Sequence, residues 1–364
     1  MFSPVESAIG ALLIQCATTS YIWHSGKVIG FSSLINGIFD PNVENVSIVS
    51  GIIMASLFVA YKIPDFSPIY QPVASVDLLE HQVDTSFPLY VVVSGLLVGA
   101  GTKFGCGCTS GHFLAGVSRL RLRSIIATAV FVIVGIVTVK IAGNGAVCYT
   151  ETSNGEIVPT NCYVYDENFS IFQNNKMALL SVVFGGICTS YILIPILAKV
   201  LVTNGGAANQ KTSSVTNSWF LKYLTGVNAG FLFGLGLFIS GMVNPTKTIG
   251  FLSILTPSRF DPSLMLIAIF AILPNIVIWK KSIPQTKSEL QVKKPLLTEN
   301  YSLNFSNTVD LKFLFGNVLF GVGWGLYGVC PGPGLIGALG FNQWDGVYWL
   351  MSFLAGSWLA KKLN

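Results

Sequence analysis

The sequence predicts an all-α membrane protein of about nine transmembrane helices plus four re-entrant half-helices, arranged as two inverted-topology repeats. Three observations lead there. Of 364 residues only 10% are charged and 52% are hydrophobic, and the mean hydropathy is +0.64; about a quarter of a soluble domain is charged. Several windows reach the roughly 20 apolar residues that one crossing needs. The chain also repeats itself. Gly99-Ala-Gly101-Thr-Lys103-Phe-Gly105-Cys106-Gly107-Cys108-Thr109-Ser110-Gly111-His112 returns as Gly321-Val-Gly323-Trp-Gly325-Leu-Tyr-Gly328-Val-Cys330-Pro331-Gly332-Pro333-Gly334, so that Gly99 falls on Gly321, Gly101 on Gly323 and Cys108 on Cys330.

Taken in order, Val5 to Trp23 is a first span holding Cys16, and Lys27 to Phe39 is too short to cross, so it reads as a half-helix ended by Asp40-Pro41. Val46 to Tyr61 crosses, and Lys62 to Phe87 is an external loop. Pro88 to Lys103 crosses or dips. Its glycine-rich continuation holds five glycines between Gly99 and Gly111, which let the backbone leave helical geometry. Such a break survives at membrane depth only where it lines a cavity. Thr109 to Ser118 is the second half-helix and Ser124 to Ile141 the next span. Arg119, Arg121 and Arg123 precede that span and put its start in the cytoplasm.

The following loop, Ala142 to Lys176, is therefore external. It carries a candidate disulfide, Cys148 with Cys162, and a candidate glycosylation site at Asn168 in Asn168-Phe-Ser170; two free thiols remain the alternative. Ala178 to Val202 returns inside and Thr203 to Ser218 is a polar hinge. The second repeat runs through Trp219 to Ser240, the half-helix Pro245 to Thr256, and Asp261 to Trp279. Then come a lysine-rich cytoplasmic loop (Lys280, Lys281, Lys287, Lys293, Lys294), Leu311 to Gly328, the half-helix Pro331 to Leu339, and Trp344 to Leu359. The domains are thus an N-terminal repeat (1–142), a loop, span and hinge (143–217), and a C-terminal repeat (218–364). This order places the N-terminus outside and the C-terminus, with Lys361 and Lys362, inside, most simply in the cell membrane. Lys27-Val-Ile-Gly-Phe31 matches Lys247-Thr-Ile-Gly-Phe251 at a shift of 220, which carries Cys16 onto Gly236.

The formal net charge of +5 comes from residues that flank apolar segments, so it speaks for topology beside a lipid bilayer and not for a nucleic-acid partner. Met1 to Gly10 lacks a basic region and an apparent cleavage site, so a cleaved signal peptide is not expected. No ATP-binding motif is present. Cys106 and Cys108 read as metal ligands with His112, as redox thiols, or as small residues at a tight packing point. A tetrahedral metal site wants four ligands and only Cys330 adds to these, so no metal or cofactor is expected. Lys103 is costly in lipid and hence a candidate for function, with snorkelling as the alternative. His112 either orients a substrate oxygen or caps the half-helix.

The two glycine-rich segments resemble the YeeE/YedE family of sulfur-compound (thiosulfate) membrane transporters, over roughly Gly10 to Leu120 and Gly226 to Leu359. The resemblance implies uptake of thiosulfate or a similar sulfur anion, handed between cysteines along the path, and no enzyme activity. It makes Cys108 and Cys330 the paired constriction residues, with Cys106 beside the first and Cys16 on the first broken segment. Gly105, Gly107, Gly111, Gly328, Pro331 and Gly332 shape that path, with Lys103 and His112 beside it. Two other readings stay open: a membrane-bound sulfurtransferase or thiol-redox protein using Cys106-Gly-Cys108, and a subunit serving a cytoplasmic sulfurtransferase.

Overall fold

A computed structural model describes residues 3–39, 42–68, 87–144, 148–151, 157–160, 171–204, 219–340 and 344–363. Among these the long helices are α1 (Pro4–Ser25), α3 (Val43–Lys62), α4 (Phe87–Phe104), α6 (Leu122–Ala142), α7 (171–204, with a π turn at Thr189–Leu193), α8 (Trp219–Ile239), α10 (Pro262–Ser282, with a π turn at Ala268–Ile272), α11 (Leu311–Tyr327) and α13 (Trp344–Lys362). Between them lie four short helices: α2 (Phe31–Asn36), α5 (Ser110–Val117, π-helical), α9 (Pro245–Leu252) and α12 (Pro331–Gly340). The protein is an all-α membrane protein. Five helices are long and apolar enough to cross by themselves, namely α3, α6, the Leu179–Val200 part of α7, α8 and α10; α11 with Pro331–Leu339 passes as a broken span bent by 49°.

Helices α1 and α13 have crossing length but carry more polar groups, and the structure shows why α1 does. Thr19 Oγ1 donates to Asn275 Oδ1 at 2.7 Å, Asn275 Nδ2 donates to Thr18 Oγ1 at 3.1 Å, and Trp279 Nε1 donates to Thr19 Oγ1 at 2.8 Å. Thr18 and Thr19, which α1 buries, therefore find their partners on α10, which is what makes them tolerable away from water.

The core is built by close helix pairs: α4 against α13 and α11, α3 and α1 against α8, and α6 against α11. Small residues set these contacts. A Cβ on Gly99 would collide with the Phe353 carbonyl and one on Gly230 with the Ile48 carbonyl, so glycine here buys backbone-to-backbone packing that lipid cannot supply. Direction can be read from the same contacts. Ser7 bonds to Ser240 and Gly10 faces Gly236, so α1 and α8 run antiparallel; Ser94 bonds to Gly323 and Gly105 faces Gly316, so α4 and α11 do too.

Several expectations need correction. Lys27–Gly30 is extended, not helical, because Gly26 ends α1 in the left-handed conformation (φ 71°) and the chain re-enters a helix only at Phe31. Its counterpart in the second half is Gly241 (φ 72°) after α8. The structural shift there is 241 minus 26, or 215, and the Lys27/Lys247 match at 220 is out of register with the helices. The second motif keeps its register: Cys106 (φ 55°) and Gly328 (φ 75°) both make the left-handed corner, 222 apart. The expected external loop contains an antiparallel hairpin, Cys148–Glu151 with Ile157–Thr160, that no helical periodicity announced. Cys162 and Asn168, and with them the candidate disulfide and glycosylation site, lie outside the described residues.

Candidate functional site

Helix α4 ends at Phe104, and the chain turns through Gly105, Cys106 and Gly107. The turn is closed by Gly105 N–H on the Gly101 carbonyl at 2.8 Å and Gly107 N–H on the Thr102 carbonyl at 3.0 Å. His112 braces it. Its Nε2 lies 2.9 Å from the Gly105 carbonyl and its Nδ1 3.1 Å from Ser124 Oγ. A carbonyl only accepts, so Nε2 carries the proton and Nδ1 accepts from the serine. Both ring nitrogens are thereby occupied. A Cβ on Gly107 would meet the imidazole at 2.8 Å, whereas Gly111 faces open space.

Cys108 is buried, with Sγ 3.3 Å from Ser110 Oγ, and that same hydroxyl accepts from the Phe31 N–H at 3.1 Å. The first half-helix is thus tied to the start of the second. Cys330 is also buried; its thiol meets the Gly332 backbone and the hydroxyl of Thr109, the residue that follows Cys108. Pro331 opens α12, and Gly332 packs against Leu237 and Phe31. Gly328 is pressed onto the Pro245 carbonyl, which joins the corner to the start of α9. The two motifs therefore meet at one point.

Two cavities flank this junction. One, of about 80 Å³, is apolar and is lined by Phe31, Thr109, Ser110, Phe131, Phe233, Trp324 and Cys330 among others. The Trp324 indole N–H is buried there without a hydrogen-bond partner. The other, of about 180 Å³, is more polar and is lined by Cys106, Gly107, Gly111, His112, Arg119, Arg121, Arg123, Ser302 and Ser306 among others. Cys330 lines the apolar cavity and Cys106 the vestibule, while Cys108, buried beside Ser110, lines neither.

Two expected site residues lie elsewhere. Cys16 lines an apolar cavity with Leu13, Leu179 and Val183 between α1 and α7, away from the junction. Lys103, half-buried in the last turn of α4, lines neither flanking cavity. The cationic groups beside Cys106 are the three arginines, which the charge pattern had explained as topology alone. Lys27 and Lys247, the matched lysines of the two halves, are ion-paired with Glu44 (2.5 Å) and Asp261 (3.3 Å). Trp324 gave one signal in the sequence, its place between two glycines of the repeated motif. Among the described residues no cluster of three or more His, Cys, Asp or Glu is placed to hold a metal ion.

Residues 7–138 match the family model described as "Sulphur transport", and residues 221–361 match a family of unknown function, DUF6691. A "Probable transporter" of Xylella fastidiosa strain 9a5c is 34% identical over 118 residues, 32% of this chain and 73% of that protein. Another from strain Temecula1 is 32% identical over 137 residues, 37% of this chain and 92% of that protein. Since those stretches make up most of each relative, both relatives are less than half as long as this chain.

Proposed function

The chain belongs to the sulphur-transport family of integral membrane proteins and is a transporter of sulfur compounds, and from that premise we propose that it takes up thiosulfate through the Cys108–Cys330 junction. The observation that carries this reading is the pair of buried thiols where an apolar cavity meets a cationic vestibule. Thiosulfate has one soft terminal sulfur and three hard oxygens. Apolar walls with thiols suit the first and guanidinium groups the second. The anion passes from Cys330 to Cys108 to Cys106 and undergoes no chemistry, and a cytoplasmic sulfurtransferase is a natural consumer. The test is uptake of radiolabelled thiosulfate into vesicles containing only this chain. Absence of uptake, with a persulfide or disulfide found by mass spectrometry on Cys106 or Cys108, would replace this reading with sulfur-transfer chemistry.

We read 1–142 and 218–364 as inverted repeats joined by 143–217. Support comes from the antiparallel course of α1 against α8 and of α4 against α11, from separate family models on the two halves, and from relatives shorter than half the chain. The end bearing Arg119, Arg121, Arg123 and the lysines of 280–294 is the cytoplasmic one. A cysteine replacing exposed Asp65 is then labelled by an impermeant maleimide in intact cells, and one replacing exposed Lys287 is not. The reverse pattern overturns the orientation.

Selectivity supplies a further test. Sulfate shares the charge and nearly the shape of thiosulfate, so a purely electrostatic site binds both alike. Cys330→Ser keeps a hydrogen-bonding group but replaces soft sulfur by hard oxygen. It is expected to lower the preference for thiosulfate over sulfate by about tenfold, the scale of one lost polar contact. Competition of labelled thiosulfate by sulfate measures it, and unchanged selectivity removes the thiol from recognition.

A further inference from the structure

The vestibule holds a concentration of charge that ordinary topology does not require. Arg119 is only 7% exposed, and its Nε and Nη2 are buried without a hydrogen-bond partner; the Nε atoms of Arg121 and Arg123 are buried and unpartnered as well. None of the ion pairs Lys27–Glu44, Lys247–Asp261 and Lys293–Glu289 involves these arginines, and among the described residues no carboxylate is paired with the three guanidinium groups. Their satisfied N–H groups go to neutral acceptors on one segment. Arg119 Nη1 donates to the Asn304 carbonyl at 3.4 Å, and Arg121 Nη2 donates to the Phe305 carbonyl and, at 2.9 Å, to Asn307 Oδ1.

Aromatic faces fix the cations in place. Arg119 and Arg121 lie 5.0 and 5.4 Å from the centre of the Phe305 ring, and Arg123 lies 4.3 Å from that of Phe313. The segment that supplies Asn304 and Phe305 is itself pinned to the end of α1, by Leu296 N–H on the Trp23 carbonyl, Leu297 N–H on that of His24 and Ser302 N–H on that of Gly26. Ser32, Ser33, Ser302 and Ser306 add hydroxyls around the cavity. Its volume of about 180 Å³ exceeds several-fold the roughly 30 Å³ share of one water.

A buried positive charge without a counter-charge, which Arg119 is, ranks among the costliest arrangements in a folded protein. Orienting a membrane helix needs cationic groups at its end but does not need them buried; exposed Lys280 and Lys281 serve that purpose on α10. We propose that Arg119, Arg121 and Arg123, with the hydroxyls of Ser302 and Ser306, form a binding site for a divalent tetrahedral oxyanion, held under the cover of residues 302–306 beside Cys106. The site deepens the reading given above, as the place where the oxygen end of a sulfur anion is received after it passes the thiol pair.

Cys106 reports on it directly, since it is exposed and lines the cavity. The probe is inorganic sulfate, which has the right charge and shape and does not react with maleimides. In purified full-length protein in detergent, sulfate slows maleimide labelling of Cys106 relative to sodium chloride of equal ionic strength, with Cys106→Ser giving the background from other thiols. Arg119→Gln raises the sulfate concentration for half-protection by about tenfold, while Lys287→Gln leaves it unchanged. Protection no greater than that of chloride in the wild type overturns the proposal, as does equal half-protection in wild type and Arg119→Gln. Transport is a separate readout: protection without thiosulfate uptake upholds the site and removes the uptake reading, and uptake without protection removes the site alone.

Discussion

Replacing Cys330 or Cys108 by alanine is expected to abolish thiosulfate uptake while the protein still inserts and folds. Each change deletes one sulfur atom from a buried position, a truncation smaller than Leu→Ala and so costing less than the roughly 2–5 kcal/mol of that change. The surrounding contacts between α4, α11 and α13 do not depend on it. Transport should suffer far more, because Cys330 is the thiol that lines the apolar cavity and Cys108 is held beside it by Ser110. Cys188→Ala, in α7 and lining none of the three cavities described, should leave uptake unchanged. The measurement is initial uptake rate in vesicles, normalised to folded protein by size-exclusion chromatography. Wild-type rates in both junction variants would eliminate the thiol path.

The second large effect concerns the backbone corner. Gly328→Ala places a side chain at φ 75°, where an L-residue pays about 1–2 kcal/mol, and drives its Cβ into the Pro245 carbonyl and Ile249. Overpacking of this kind adds about 1–3 kcal/mol. The sum, about 2–5 kcal/mol, is enough to lower the thermal midpoint markedly and to displace α9 from α12. Cys106 occupies the equivalent corner at φ 55° as a non-glycine residue. Cys106→Gly is therefore expected to leave stability unchanged or raise it by about 1 kcal/mol. Thermal unfolding of the two variants in detergent decides the matter, and a Gly328→Ala protein as stable as wild type would show that the corner can relax.

The membrane class and the alternation of long and short helices were legible because they rest on local quantities: apolar run length, glycine density and the position of proline. The equivalence of the Cys106 and Gly328 corners was legible too, since the duplication preserved its spacing of 222 at the second motif. At the first motif the same reasoning misled. Lys27-Val-Ile-Gly-Phe31 and Lys247-Thr-Ile-Gly-Phe251 look equivalent, yet one is extended and the other helical, because the left-handed glycines that end α1 and α8 stand 215 apart and not 220. That Cys16 and Lys103 line neither cavity at the junction was not legible either. For Lys103, position along the helix says little about which neighbour it faces when every face is apolar, and α4 offers no polar stripe to break the tie.

By itself the sequence determined that this chain lives in a bilayer, breaks its helices at two glycine-rich segments and carries thiols there, since composition and spacing act within one stretch of chain. Only the tertiary structure decided that those thiols meet between an apolar cavity and an arginine vestibule, and that the lysine-rich loop folds back to cover that vestibule. Arg119 and Asn304 are 185 residues apart; no local propensity encodes such a contact, which arises only once helix packing has brought both segments to the same end of the protein.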